Sequence, residues 1–138
     1  MKSLVIDAST TLGFLMKDER EAHALKALAT VESGVPTHVP AHWCVEVANG
    51  LIMAERRKRA SQADITEALN LVRELPVKTD DETGQRLGGA TAALARQYNL
   101  TIYDAAYLEL AMRYGAALAT SDAALIKAAK SAGVAIFA

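Results

Sequence analysis

The sequence predicts an α/β fold in which a central, mostly parallel sheet is flanked by helices. Three observations carry that prediction. Short apolar runs such as Leu4-Val5-Ile6 and Leu118-Ala119 end abruptly in small polar residues and acids. Between such runs lie longer segments whose apolar residues recur at helical spacing, and Gly or Pro punctuates the joins. Short buried strands alternating with helices are the pattern of parallel-sheet folds.

Taken in order, the first strand is read over Ser3–Ile6 and the first helix over Thr11–Met16. The acidic run Asp18-Glu19-Arg20-Glu21 is read as the start of a second helix, where acids complement the helix dipole. Leu25, Leu28 and Val31 are assigned as its inner face, and Gly34 as its stop before Pro36. Thr37–Pro40 is a second strand. A long helix follows over 41–59, with Val45, Ala48, Leu51 and Ile52 as its apolar face and a charged end in Glu55-Arg56-Arg57-Lys58-Arg59. Ser61 and Asp64 have the spacing of a capping box, opening a helix with Ile65, Leu69, Val72 and Leu75 on its inner side. Val77–Thr79 is a third strand. Asp80-Asp81-Glu82 opens a helix to Tyr98, weakened in its middle by Gly88-Gly89. A helix over Asp104–Tyr114 ends at Gly115, a strand follows over Ala116–Thr120, then a helix over Asp122–Ala132 and a last strand over Val134–Phe137.

The 138 residues are sized for one domain, 1–138, with a sizeable core. Hydrophobic residues make up 51% but aromatics only 5%, so Ala, Leu and Val build the interior. A net charge of −1 argues against binding nucleic acid through a broad basic surface, though a local basic stripe is compatible with it. Cys44 is the only cysteine, expected as a small buried residue in a reducing, cytoplasmic setting. The apolar run before Asp7 is too short for a signal peptide, and Glu109 and Arg113 break the apolar stretch 105–120, so no membrane span is expected.

Three acids hold comparable positions: Asp7 after the first strand, Asp104 at a helix start and Asp122 after the Leu118 strand. In a parallel sheet Asp7 and Asp122 share one edge, the carboxyl edge where α/β folds bind ligands. Asp104, preceding the helix that leads into that strand, can reach the same crevice. Glu46 lies within an apolar helical stretch, with Asn49 three residues on. Singly, each Asp also fits a helix cap or first turn, and Glu46 a solvent-facing position. Converging, they would repel: two unit charges about 4 Å apart cost on the order of 4 kcal/mol at an effective dielectric near 20. A hard divalent cation such as Mg²⁺ or Mn²⁺, which prefers oxygen ligands, relieves that repulsion.

Four blocks, Val5-Ile6-Asp7-Ala8-Ser9, Glu46-Val47-Ala48-Asn49, Tyr103-Asp104-Ala105-Ala106-Tyr107-Leu108 and Thr120-Ser121-Asp122-Ala123-Ala124-Leu125, together resemble PIN-domain ribonucleases of the VapC toxin type. The resemblance spans nearly the whole chain. It implies a three-layer α/β/α fold and an acidic quartet, Asp7, Glu46, Asp104 and Asp122, that holds Mg²⁺ or Mn²⁺. Ser9, Asn49 and Thr120 would be supporting polar residues. The implied activity is metal-dependent hydrolysis of RNA phosphodiesters, and the implied partners are a VapB-like antitoxin and a second copy of the chain.

Other readings compete. The same fold could serve as a catalytically silent module binding RNA or protein. An aspartyl-phosphate phosphatase also places Asp after the first strand, but usually wants a second acid two residues on, where this chain has Ser9. His23, His38 and His42 lack metal-site spacing and are read as structural or solvated. The run Arg56-Arg57-Lys58-Arg59 has two readings: cations complementing a helix C-terminus, or a stripe contacting RNA phosphates beside the acids. The helices between Ala41 and Leu75 are the expected partner surface, if their apolar positions are not consumed by the core.

Overall fold

Leu4, Val5 and Ile6 have no solvent-exposed surface at all. A run buried on both faces is the mark of a central strand in a parallel sheet. In the computed structural model, which describes residues 1–138, strand β1 (Leu4–Ile6) indeed lies inside a four-stranded sheet. The strands are β2 (Thr37–Val39), β3 (Lys78–Thr79) and β4 (Ala117–Ala119), in the order β3-β2-β1-β4, every pair parallel. Val5 is in register with His38 on one side and Leu118 on the other. From β1 the chain builds outward to β2 and β3, then returns to place β4 on the opposite side of β1. The strand order therefore reverses between β1 and β4, and such a reversal opens a crevice at the carboxyl ends of the two strands.

The expected last strand is reduced to one bridge, Leu118 to Ile136. Its start is held elsewhere, because the Val134 N–H closes the preceding helix on Ala129 O. The helices are α1 (Ala8–Leu15), α2 (Ala22–Glu32), α3 (Trp43–Arg56), α4 (Gln62–Glu74), α5 (Thr83–Arg86), α6 (Ala92–Tyr98), α7 (Ile102–Tyr114) and α8 (Ala123–Ser131). A π-helical turn over Leu87–Thr91 separates α5 from α6, and it contains Gly88-Gly89. The single helix read to Tyr98 is thus broken where the glycines weaken it. None of the helices is long and apolar enough to cross a membrane.

Two helices differ in phase from the sequence reading. In α3 the buried residues are Trp43, Val47, Leu51 and Ala54, while Val45 is 66% exposed and Ile52 is also exposed. Trp43 fixes this phase: its indole Nε1 donates to Thr11 Oγ1 at 3.0 Å. Cys44, next to it, is consequently exposed rather than buried. In α2 the core face is Ala24, Ala27 and Val31, and Leu25 is outside. Close approach explains the small residues, since a Cβ on Gly13 of α1 would stand 3.0 Å from the Cβ of Ala24.

The acids Asp18 and Glu19 do not open α2. They stay in the preceding turn and pair with Arg59, whose Nε and Nη2 donate to the Asp18 carboxylate at 3.0 and 3.1 Å. The Ser61–Asp64 capping box forms as expected.

Helix α7 is buried along Ala105–Ala111 and packs on β1, β2 and β4. It carries a polar pair into the interior. Arg113 donates to both Asp80 oxygens at 2.7 and 2.8 Å and to Glu109 at 2.7 and 3.0 Å. Its guanidinium holds Asp80 at a pKa of about 2, against an ordinary 3.8. Replacing Arg113 by Ala leaves buried Asp80 with only the Thr83 hydroxyl and Glu109 with only Arg86 at 3.7 Å, and urea denaturation should show a loss of about 3 kcal/mol. The Asp80 contribution in the native protein is present above pH 3.8 and should disappear as pH falls toward 2, because only the unfolded carboxyl takes up its proton in that interval.

Candidate active site

Asp7 follows β1 at the strand-order reversal and caps α1. Its backbone N–H donates to Ala119 O at 3.1 Å, joining the ends of β1 and β4. The carboxylate, only 4% exposed, is fully engaged. Oδ1 accepts from Ser9 Oγ at 2.8 Å and Thr10 N at 2.9 Å, and Oδ2 accepts a short bond from Thr120 Oγ1. Each of these hydroxyls works at both ends. Ser9 Oγ accepts from Ser121 N and Thr120 Oγ1 from Asp122 N, both at 3.0 Å. Asp7 is thereby clamped to the loop after β4. Burial still pushes its pKa up, against the lowering effect of Thr120, Thr10 and Ser9.

Asp122 sits on that loop and caps α8, its Oδ2 accepting from Leu125 N at 2.8 Å. Glu46 comes from the first turn of α3, where its Oε1 accepts from Tyr107 Oη at 2.7 Å. Burial, and then this bond to Glu46, pushes the Tyr107 phenol well above its usual range, so it remains a donor. Asp104 lies in the first turn of α7, one turn before Tyr107. All four acids thus occupy an N-cap or a first helical turn, where the unsatisfied N–H ends carry partial positive charge and favour anions.

Asp104 reports how the four meet. Its pKa is raised from 3.8 to about 6, first by burial and then by the charges of Asp122, Asp7 and Glu46. No cation offsets this field, in contrast to the Arg113 network. The arrangement is open: the only set of three acids whose oxygens all lie within 4.8 Å of one another is Asp80, Asp81 and Glu82. Two members of that set, Asp80 and Glu82, are already paired with Arg113.

Of the supporting residues read from the sequence, Ser9 and Thr120 touch Asp7, whereas Asn49 is exposed and makes no hydrogen bond to the acids. The basic run stands at the far end of α3, roughly 15 Å along the axis from Glu46 at 1.5 Å per residue. Arg59 there is spent on Asp18 and Glu19, leaving Arg56, Arg57 and Lys58 exposed.

Three residues at the site were not singled out for roles by sequence. Tyr107 holds Glu46, and its one-turn spacing from Asp104 is a signal that could have found it. His42 brings Nε2 to 3.1 Å from Tyr103 O and 3.4 Å from Glu46 Oε1, two acceptors that the Nε2–H tautomer satisfies. The third is Thr10, whose hydroxyl is buried beside Asp7 without a clear partner. No local pattern marks His42 or Thr10.

A group of acids built around one buried aspartate, at the switch point of a parallel sheet, defines a class of fold and site, and comparison supplies the family. The PIN domain profile matches residues 4–131, and the chain belongs to the PIN-domain family. It is 31% identical over 131 residues to Ribonuclease VapC3 of Mycobacterium tuberculosis, covering 95% of this chain and 90% of that protein. It is 32% identical over 121 residues to Ribonuclease VapC9 of the same species, covering 86% and 85% respectively. Two solved structures share the fold. PAE2754 from Pyrobaculum aerophilum has a TM-score of 0.68 at 23% identity, covering 91% of this chain and 78% of that one. VapBC2 from Rickettsia felis, bound to a promoter DNA fragment, has a TM-score of 0.67 at 12% identity, covering 97% and 96%.

The raised Asp104 pKa has a sign that can be measured. A carboxyl whose folded pKa exceeds its unfolded value costs stability once it ionises, and that cost accrues as pH rises from about 4 to about 6. In EDTA, Asp104→Asn should therefore be more stable than the native chain at pH 7.5, with the difference vanishing near pH 4 in urea titrations.

Proposed function

We propose that this PIN-domain chain, as a single domain over 1–138, is a VapC-type endoribonuclease that hydrolyses RNA phosphodiesters with Mg²⁺ or Mn²⁺, and is the toxin of a VapBC-type pair. The observation that carries the reading is the uncompensated field of Asp7, Glu46, Asp104 and Asp122 at one edge, reported by the elevated Asp104. Relatives named ribonucleases, matched over most of their length, support the substrate class.

The donor set fits a hard divalent cation: it is all oxygen, carboxylate-rich and lacking a protein counter-cation. Asp7, Glu46, Asp104 and Asp122 would hold it. When bound, such a cation supplies Lewis acidity to a water nucleophile and to the phosphoryl oxygens. The chain's own residues do the positioning. Ser9 and Thr120 fix the Asp7 carboxylate, and Tyr107 fixes Glu46. In-line attack by water leaves 5′-phosphate and 3′-hydroxyl ends, since the 2′-hydroxyl takes no part.

A VapB-like antitoxin, homodimer formation and a cytoplasmic setting complete the proposal. Their support is the VapC kinship and a like-folded neighbour named as a VapBC complex.

Incubation of total RNA with the protein and Mg²⁺ or Mn²⁺ tests the reading, with the new 5′ ends sequenced. Cleavage should leave 5′-phosphates, cease in EDTA and fall at least about 100-fold in Asp7→Asn, which retains an α1 cap because Asn caps as well as Asp. Cyclic phosphate products or undiminished cleavage in EDTA would sink it. RNA binding without any cleavage would return the silent binding module.

A further inference from the structure

Tyr103 directly precedes Asp104, yet the residue is 57% exposed. It is not a loose side chain. As the second residue of α7 its backbone is fixed, and its carbonyl accepts from His42 Nε2 at 3.1 Å. The His42 ring meets the Tyr103 ring edge-on, with centroids 5.8 Å apart and planes at 64°. His42 is itself braced against buried Tyr107, at 5.1 Å and 71°. The same imidazole stands 3.4 Å from Glu46 Oε1. One imidazole therefore separates an exposed aromatic ring from a member of the acidic group. Rigid and only partly covered, that ring has free area for another flat π-system.

We propose that Tyr103 is a stacking platform for a nucleobase beside the scissile phosphate, so that the site takes single-stranded RNA with one base turned out onto this ring. The inference rests on the ribonuclease reading and adds to it where the base goes. A phosphate among the acids carries its base one ribose away, and a splayed base needs an aromatic face to replace the stacking it has lost. Aromatic stacking is tolerant of sequence because every base offers a π-face. A paired base, already stacked on its neighbours, could not use the platform. The site is thereby biased toward loops and unpaired segments.

The test uses the full chain in an Asp7→Asn background, with Mg²⁺ present, so that RNA is held but not cut. The probe is a fluorescein-labelled single-stranded RNA octamer pool of random sequence, read by anisotropy. A parallel set of pools carries one abasic ribose at each position in turn. Tyr103→Ala should weaken binding of the intact pool by about 5- to 150-fold, the range of one lost base–aromatic stack. Tyr103→Phe and Tyr103→Trp should bind like the parent. At one position the abasic pool should bind the parent weakly, and Tyr103→Ala should add no further loss there. Equal binding by Tyr103→Ala overturns the proposal. So does a loss that persists undiminished in every abasic pool, or a loss shared by Tyr103→Phe. A Tyr103→Ala protein that sediments differently from the parent, with RNA affinity following the change in assembly, overturns it in favour of a protein contact. Cleavage by the native chain is scored separately. If it cleaves and Tyr103→Ala binds normally, only the stacking fails; if it neither cleaves nor binds the pool, the ribonuclease reading fails too.

Discussion

The Asp7 carboxylate is the joint on which the rest of the molecule turns. It closes β1, starts α1 and receives hydroxyl bonds from Ser9 and Thr120, which in turn hold the backbone after β4. A buried carboxylate without partners would be expensive, and three hydrogen bonds, from Ser9, Thr10 N and Thr120, make its position tolerable. The strand order reverses at this joint, which opens a crevice at the carboxyl ends of β1 and β4. The remaining acids enter that gap from separate helices, Glu46 on α3 and Asp104 on α7.

The protein treats its two concentrations of acid in opposite ways. Asp80 and Glu109 surround Arg113 and are both paired with it, with well-formed hydrogen bonds on both sides. That cluster ties the approach to α5 to the C-terminal half of α7, and two guanidiniums, Arg113 and Arg86, already sit among its carboxylates. The group around Asp104 receives hydroxyls, a phenol and an imidazole, but no guanidinium or ammonium. Its negative field remains available. Oxygen distances alone would have picked out the first cluster, and only the accounting of counter-charges separates them.

Much of the fold was legible because its signals are local. Apolar runs ending in acids gave the parallel strands, and Ser61 with Asp64, and Gly115, marked helix ends that the structure bears out. What failed depended on distant partners. Asp18 and Glu19 look like a helix start until Arg59, some 40 residues later, takes them. Helix α3 offers apolar residues on several sides, so its phase is decided by the Trp43–Thr11 bond rather than by periodicity. At the site, Asp7 and Asp122 could be placed on one edge from strand pattern, whereas Glu46 stood out as an acid in an apolar helical stretch and was joined to the others only through family resemblance. His42 was illegible because its neighbours Tyr103 and Tyr107 arrive from α7, 61 residues or more along the chain.

All four acids lie in the opening turn, or at the cap, of the helix that carries them. Asp7 and Asp122 accept backbone N–H groups that would otherwise be orphaned, an interaction typically worth about 1 kcal/mol. The residues proposed for chemistry are therefore also residues that tell the chain where helices begin. A descendant of this sequence released from selection for activity would still be under pressure to keep acids, or their amide isosteres, at positions 7 and 122. Neutral drift should first erode Glu46 and Asp104, whose carboxylates cap nothing, so among degenerate copies these two acids are better witnesses to lost catalysis than the aspartates that cap α1 and α8.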